Sequence, residues 1–207
     1  MEKRKIKDLC IIIGLLIFLI FSFISVYYLG INKYNHKKEE IKIEEFFEEQ
    51  EEYVSEITDE IKEIETKQEE VIKYTMILEI PDIGLQKGIF CVGLLSNTVS
   101  KNIEMLKEST MPDIDKGNVI LAAHNGTSSV SYFNKLDKLN VGDKINLYYN
   151  GTKYEYILSN SYEIEKTGTA IIKRDKFKTT ITLLTCKKNS KDKQIVYVAY
   201  LNNTSKY

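Results

Sequence analysis

The run Thr179 to Cys186, TTITLLTC, constrains the chain most. It is β-branched and apolar, which suits a pleated, buried strand and disfavours a helix. It ends on a cysteine. A lysine-rich loop, Lys187 to Lys193, and a second β-branched run, Gln194 to Leu201, follow it. A thiol at a strand tip stands on rigid scaffold yet can meet solvent, as a nucleophile must. A buried structural cysteine is the competing reading, because free Cys is among the most buried residue types.

A second apolar run, Val119 to Ala123, ends on His124. The chain has two histidines, and the other, His36, lies in a charged stretch beside an apolar segment. Cys186 and His124 would meet if their strands are neighbours in one sheet. Such a pair can hold a thiolate that attacks a carbonyl and can then protonate the leaving amine.

The residues around this pair carry a resemblance. Thr182 to Cys186 (TLLTC) resembles the TLxTC signature of sortases, the cysteine transpeptidases of Gram-positive surfaces, and Asn118 to Asn125 (NVILAAHN) looks like the segment that carries their histidine. Leu78 to Leu85 (LEIPDIGL) is similar to the family's opening strand, and Leu136 to Ile145 (LDKLNVGDKI) is similar to its L-x-x-L-x-x-G-D run. The four matches fall in family order between residues 75 and 201.

The resemblance implies a mostly β fold, a closed eight-stranded barrel with short helices. It implies that Cys186 attacks the carbonyl of an LPXTG-like sorting signal and that His124 protonates the departing amine. An amine of a peptidoglycan precursor, or another acceptor, would then resolve the thioacyl enzyme. Thr185, Leu184, Ala123 and Asn125 flank the pair and are the expected substrate-binding residues. Sortases carry an arginine on the strand after the cysteine, and here that position falls on Gln194. Lys193 beside it, facing the other way by strand alternation, and Arg174 before the cysteine strand rank second and third. No cofactor is implied. The alternatives are a weak or silent surface scaffold acting through its stalk, favoured by a glutamine at the arginine position, and a plain cysteine protease.

The remaining texture agrees with a small barrel. Thr75 to Ile80, Leu85 to Val92, Ile145 to Tyr149 and Thr152 to Leu158 read as strands, the last two joined by Asn150-Gly151, a strong two-residue hairpin signal. Ile171 and Ile172 add a further short strand. Val99 to Lys107 has helical spacing through Ile103 and Leu106. Cys91, after an apolar strand, reads as buried core. Glu104, Glu108, Asp113, Asp115, Glu163 and Glu165 have no rigid calcium-loop spacing and read as solvated surface, so no metal is expected. Zinc spacings, phosphate loops and basic-aromatic stripes are also lacking, which argues against nucleic acid.

The N-terminal third is different. Residues 1–8 form a basic tip, and residues 9–30, Leu9 to Gly30, carry no charge and are long enough to span about 30 Å of hydrocarbon as a helix. Lys3, Arg4, Lys5 and Lys7 before it favour a cytoplasmic N-terminus, and the bulky residues 25–29 favour an uncleaved anchor over a signal peptide. The expected location is therefore the cell membrane, single pass, with the C-terminal part outside. One anchor resembles sortase classes A and D more than class C. Residues 31–73 read as an acidic stalk, with 15 acids against 3 bases in residues 39–70. Phe47, Gln50, Val54, Ile57, Ile61, Ile64, Gln68 and Val71 mark a heptad seam. A self-associating helical stalk and a solvated linker both fit. Residues 74–207 are the expected catalytic domain.

Overall fold

The computed structural model describes residues 23–25, 27–48 and 73–207. Residues 9–22 and 26 of the expected anchor and residues 49–72 of the expected stalk lie outside these residues. Among the described residues no helix is long and apolar enough to cross a membrane. Residues 23–25 and 27–48 are helical, and His36 pairs with Glu40 one turn on at 3.3 Å.

The strands are β1 (Met76–Ile80), β2 (Leu85–Ile89), β3 (Glu104–Met105), β4 (Asn118–Ala122), β5 (Lys144–Tyr149), β6 (Thr152–Glu165), β7 (Thr180–Cys186) and β8 (Lys193–Lys206). They form one eight-stranded sheet in the order β2-β1-β5-β6-β8-β7-β4-β3. The sheet curls into a nearly closed barrel, and the Asn102 amide donates 2.8 Å to the Gly88 carbonyl to help join its two edges. Every ladder is antiparallel except β4–β7. That exception sends the ends of β4 and β7 out on the same side of the barrel.

Alternation sorts the side chains. Val119, Leu121 and Ala123 from the β4 segment, Ile181 and Leu183 from β7, and Tyr197 and Ala199 from β8 point into the main core with Met76, Leu78, Ile145, Leu147 and Tyr156. The opposite faces of β7 and β8 are apolar as well. Leu184, Val196 and Val198 form a second cluster, with Ala122, Tyr162, Ile164 and Ala170 packed against it. A third cluster joins Ile43, Tyr74, Ile77 and Phe90, with Phe46, Phe47 and Tyr148 against it.

Some sequence expectations change. Asn150 and Gly151 take φ of 48° and 66°, the left-handed pair a tight hairpin requires. β6 runs past Leu158 to Glu165, because a bulge between Leu158 and Asn160 absorbs the irregularity and pairing with β8 resumes. Residues 99–107 form turns and the two-residue β3 rather than a helix. Ile103 and Met105 both point into the core, a period of two, and Asn97 brackets Met105, receiving its N–H at 2.7 Å and donating to its carbonyl at 2.9 Å. Ile171 and Ile172 lie in the β6–β7 loop and not in a strand. Cys91 is half-buried at the start of a loop, because β2 ends at Ile89, which takes the last place in the main core, and Phe90 turns to the third cluster.

Candidate active site

Parallel pairing of β4 with β7 sets Ala122 beside Leu184. Two residues further along each chain the same register brings His124 alongside Cys186. On its other flank Cys186 sits directly across from Gln194 of β8. Directly opposed residues share a face, so Gln194 stands on the Cys186 side of the sheet. Carrying the β4–β7 register two residues past the end of β4 puts His124 in one row with Cys186 and Gln194, which pair across β7 and β8. They are placed where the outward apolar face of Leu184, Val196 and Val198 ends. His124 is exposed, while Cys186 and Gln194 are half-buried. Cys186 is a free thiol, as is Cys91.

The backbone carrying this row is fixed locally. β7 stops after Cys186, where the Lys187 N–H donates 2.9 Å to the Lys193 carbonyl and closes the lysine-rich loop. The His124 carbonyl accepts the Phe133 N–H at 3.1 Å. Phe133 and Leu136 are fully buried and hold the loop after His124 against the barrel.

The flanking residues divide by direction. Leu184 lies on the outward apolar face, buried there with Val196 and Val198. Thr185 and Ala123 are turned inward and buried, and the Thr185 hydroxyl donates 2.8 Å to the Ala123 carbonyl. The Thr185 side chain thus ties the two strands together, and neither side chain lies on the outward face. Asn125 is half-buried, and its amide donates 2.9 Å to the Cys186 carbonyl.

The ranked cations sit elsewhere. Arg174 donates to the carbonyls of Lys116 at 3.1 Å and Lys178 at 3.2 Å and to the Thr180 hydroxyl at 3.4 Å. Thr180 begins β7 and Cys186 ends it, so six strand residues, about 20 Å at 3.3 Å each, separate the guanidinium's anchorage from the thiol. Lys193 lies 3.7 Å from Glu163, which also binds Lys187. The Lys187 hydrogen bond, foremost, holds the Glu163 carboxyl below its usual range. Lys188 pairs with Asp137 at 2.7 Å. Among the described residues no group of acids, histidines and cysteines could hold a metal ion.

The sequence reading missed the residues that cover the outward apolar face. Tyr162 packs on the Leu184–Val196–Val198 cluster. Its hydroxyl donates to the Ile171 carbonyl and accepts the Lys173 N–H, and the Tyr200 hydroxyl accepts the Asp175 N–H at 2.9 Å. The β6–β7 loop is thereby pinned beside the cluster, with Ala170 packed on it. Ile195 to Ala199 is apolar without alternation, the pattern of a strand buried on both faces, and that signal pointed to a covered outer face.

The barrel thus carries a cysteine and a histidine just past the neighbouring ends of two parallel strands. Residues 78–202 match the sortase domain family, and the chain belongs to that family. It is 32% identical to sortase A of Bacillus anthracis over 117 residues, covering 55% of this chain and 54% of that relative. The chain thus spans about half the length of that curated relative. Its fold is similar to a Clostridium perfringens sortase D5 transpeptidase, with a TM-score of 0.58 and 26% identity over 80% of this chain and 98% of the other. It is also similar to Listeria monocytogenes sortase A, with a TM-score of 0.54 and 26% identity over 65% and 90%. Sortases are cysteine transpeptidases that act on surface proteins bearing sorting signals and on amine acceptors.

Proposed function

We propose that this chain is a membrane-anchored sortase that works outside the cell, cutting an LPXTG-like sorting signal and joining it to a cell-wall amine. The observation that carries the reading is the single row of His124, Cys186 and Gln194 across three adjacent strands. The Cys186 thiolate attacks the scissile carbonyl carbon. The carbon–nitrogen bond breaks, and His124, as imidazolium, gives its proton to the leaving amine. An incoming amine attacks the resulting thioester, its proton passes to His124, and the thiolate departs. Gln194 donates its amide N–H to the oxyanion formed in each step. Substrate side chains settle on the partly exposed rim of the apolar cluster, against Ala122, Tyr162 and Ala170, with Leu184 buried beneath. Residues 9–30 hold the chain in lipid near its acceptor, and the stalk acts as spacer and as a surface for self-association.

One observation favours a second reading. The residue opposite Cys186 is an uncharged glutamine, and a silent scaffold has no need of charge there. Incubating the full-length protein in detergent micelles with a panel of sorting peptides, then reading its intact mass, separates the two. The transpeptidase gains an acyl mass on the Cys186 peptide, loses it to an added amine, and gains none as Cys186→Ala. Absence of acylation across the panel leaves the scaffold. Release to water alone, with amine present, makes the chain a protease.

A further inference from the structure

Past the end of their ladder, β4 and β7 are joined by three successive hydrogen bonds. The Ala123 N–H donates to the Leu184 carbonyl at 3.2 Å, Thr185 Oγ1 donates to the Ala123 carbonyl at 2.8 Å, and Asn125 Nδ2 donates to the Cys186 carbonyl at 2.9 Å. The first two act on the residue before His124 and the third on the residue after it. His124 itself is exposed, so the place of its imidazole relative to the thiol is set by the backbone on either side. Only the Asn125 bond ends on the cysteine itself.

The Asn125 amide also makes an unfavourable contact. Its Oδ1 is buried with no hydrogen-bond partner among the described residues. A buried acceptor without a donor costs more than a typical hydrogen bond gains, and such an atom in a native fold calls for an explanation. An apolar residue would avoid the penalty but would release the Cys186 carbonyl. With the Lys187 N–H held by the Lys193 carbonyl, Asn125 completes the fixing of the peptide plane that follows Cys186. It fixes that plane to the histidine strand, and the Lys193 bond fixes it to the glutamine strand.

We propose that Asn125 is the positioning residue of the Cys186/His124 pair, its amide holding the histidine segment in register with the cysteine so that proton transfer occurs over a fixed distance. This rests on the reading of Cys186 and His124 as the reacting pair. Asn125 touches neither substrate nor reacting atoms in this role, so its loss acts on the chemical step and leaves peptide binding nearly unchanged.

The chain has two histidines, so its proton spectrum holds two imidazole C2–H signals, and His36 serves as the internal reference. The test uses full-length protein in detergent micelles with Cys10→Ser and Cys91→Ser, leaving Cys186 as the single target for iodoacetamide. Alkylation should displace the His124 signal and leave His36 in place. With Asn125→Ala added, the displacement should shrink to a fraction of its former size. Acylation by a sorting peptide at saturation should fall by about 10²-fold, as for a reacting group misplaced by about 1 Å, with KM within about threefold. Asn125→Asp keeps the shape, removes the donor and should behave alike, so it carries the test if Asn125→Ala fails to fold. An undiminished His124 displacement with acylation within about twofold of the parent overturns the inference and leaves the Cys/His reading standing. No displacement and no acylation in the parent overturns the Cys/His reading itself, and the positioning role with it.

Discussion

Gln194 faces Cys186 across the β7–β8 ladder, where an amide can donate a hydrogen bond but brings no charge. A lost oxyanion donor typically costs about 10²–10³ in rate, so Gln194→Ala should slow single-turnover acylation by that factor. Gln194→Glu should be at least as harmful, since it sets a carboxylate where negative charge develops. Gln194→Arg should keep or raise the rate. Lys193→Ala and Arg174→Ala should stay near the parent rate, because Lys193 is engaged by Glu163 and Arg174 is bound at the far end of β7. A collapse in either lysine or arginine variant with a normal Gln194→Ala would move the donor role. The row itself was legible as two strand ends and an offset, since period-two alternation converts residue number into face. What that count could not give was the parallel pairing of β4 with β7, which depends on contacts 62 residues apart in the chain. Thr185 and Ala123 are a different case. Their neighbours mark them as site residues, yet the same alternation turns them inward, to the face opposite Cys186 and His124.

At the scale of elements, the β6–β7 loop is held by the Tyr162 and Tyr200 hydroxyls and the Arg174 guanidinium and not by its own ladder. Tyr162→Phe keeps the ring on the apolar cluster and removes both bonds to Ile171 and Lys173. Protease should then cut within residues 166–179 faster, and KM for a sorting peptide should rise several-fold with saturated acylation little changed. An unchanged KM would show that the loop does not border the bound peptide. Glu163 gives these strands a pH dependence. Its folded carboxyl is held below its ordinary value of 4.5 by Lys187 first, so its contribution is present above that value and lost as pH falls through the lowered one. Melting temperature against pH should therefore fall less steeply on the acid side for Glu163→Gln than for the parent. The helix expected at residues 99–107 failed because Ile103 and Leu106 fit a helical period while Ile103 and Met105 fit a strand, and short segments satisfy both. Asn97 decides the matter by bonding both backbone groups of Met105, a choice that propensity cannot reveal. The Asn150-Gly151 hairpin was legible because both positions need positive φ.

For the molecule as a whole, the barrel does not begin where its strands do. Residues 42–48 belong to the same compact unit as the strands. Ile43 is buried against Tyr74, Ile77 and Phe90. Phe47 meets Tyr148 at 5.5 Å and Tyr207 at 5.6 Å between ring centroids, both edge-on, and Tyr148 meets Tyr207 at 5.2 Å. Phe47 was legible only as the first member of a heptad seam, because nothing local distinguishes a stalk partner from a barrel. The rest of that seam, from Gln50 to Val71, lies outside the described residues. Each edge-on aromatic pair contributes about 0.5–1.5 kcal/mol beyond burial, so Phe47→Ala should cost about 2 kcal/mol. For a unit of this size that lowers the melting temperature by roughly 4–8 °C. β5 is separated from β7 by β6 and β8, so acylation well below the transition should be unaltered. A chain starting at residue 74 should lose more than Phe47→Ala does, since it also uncovers Tyr74, Ile77 and Phe90, and should bind an apolar dye that the longer chain excludes. Equal melting temperatures for chains starting at residues 42 and 74 would show that the helix adds nothing to the barrel.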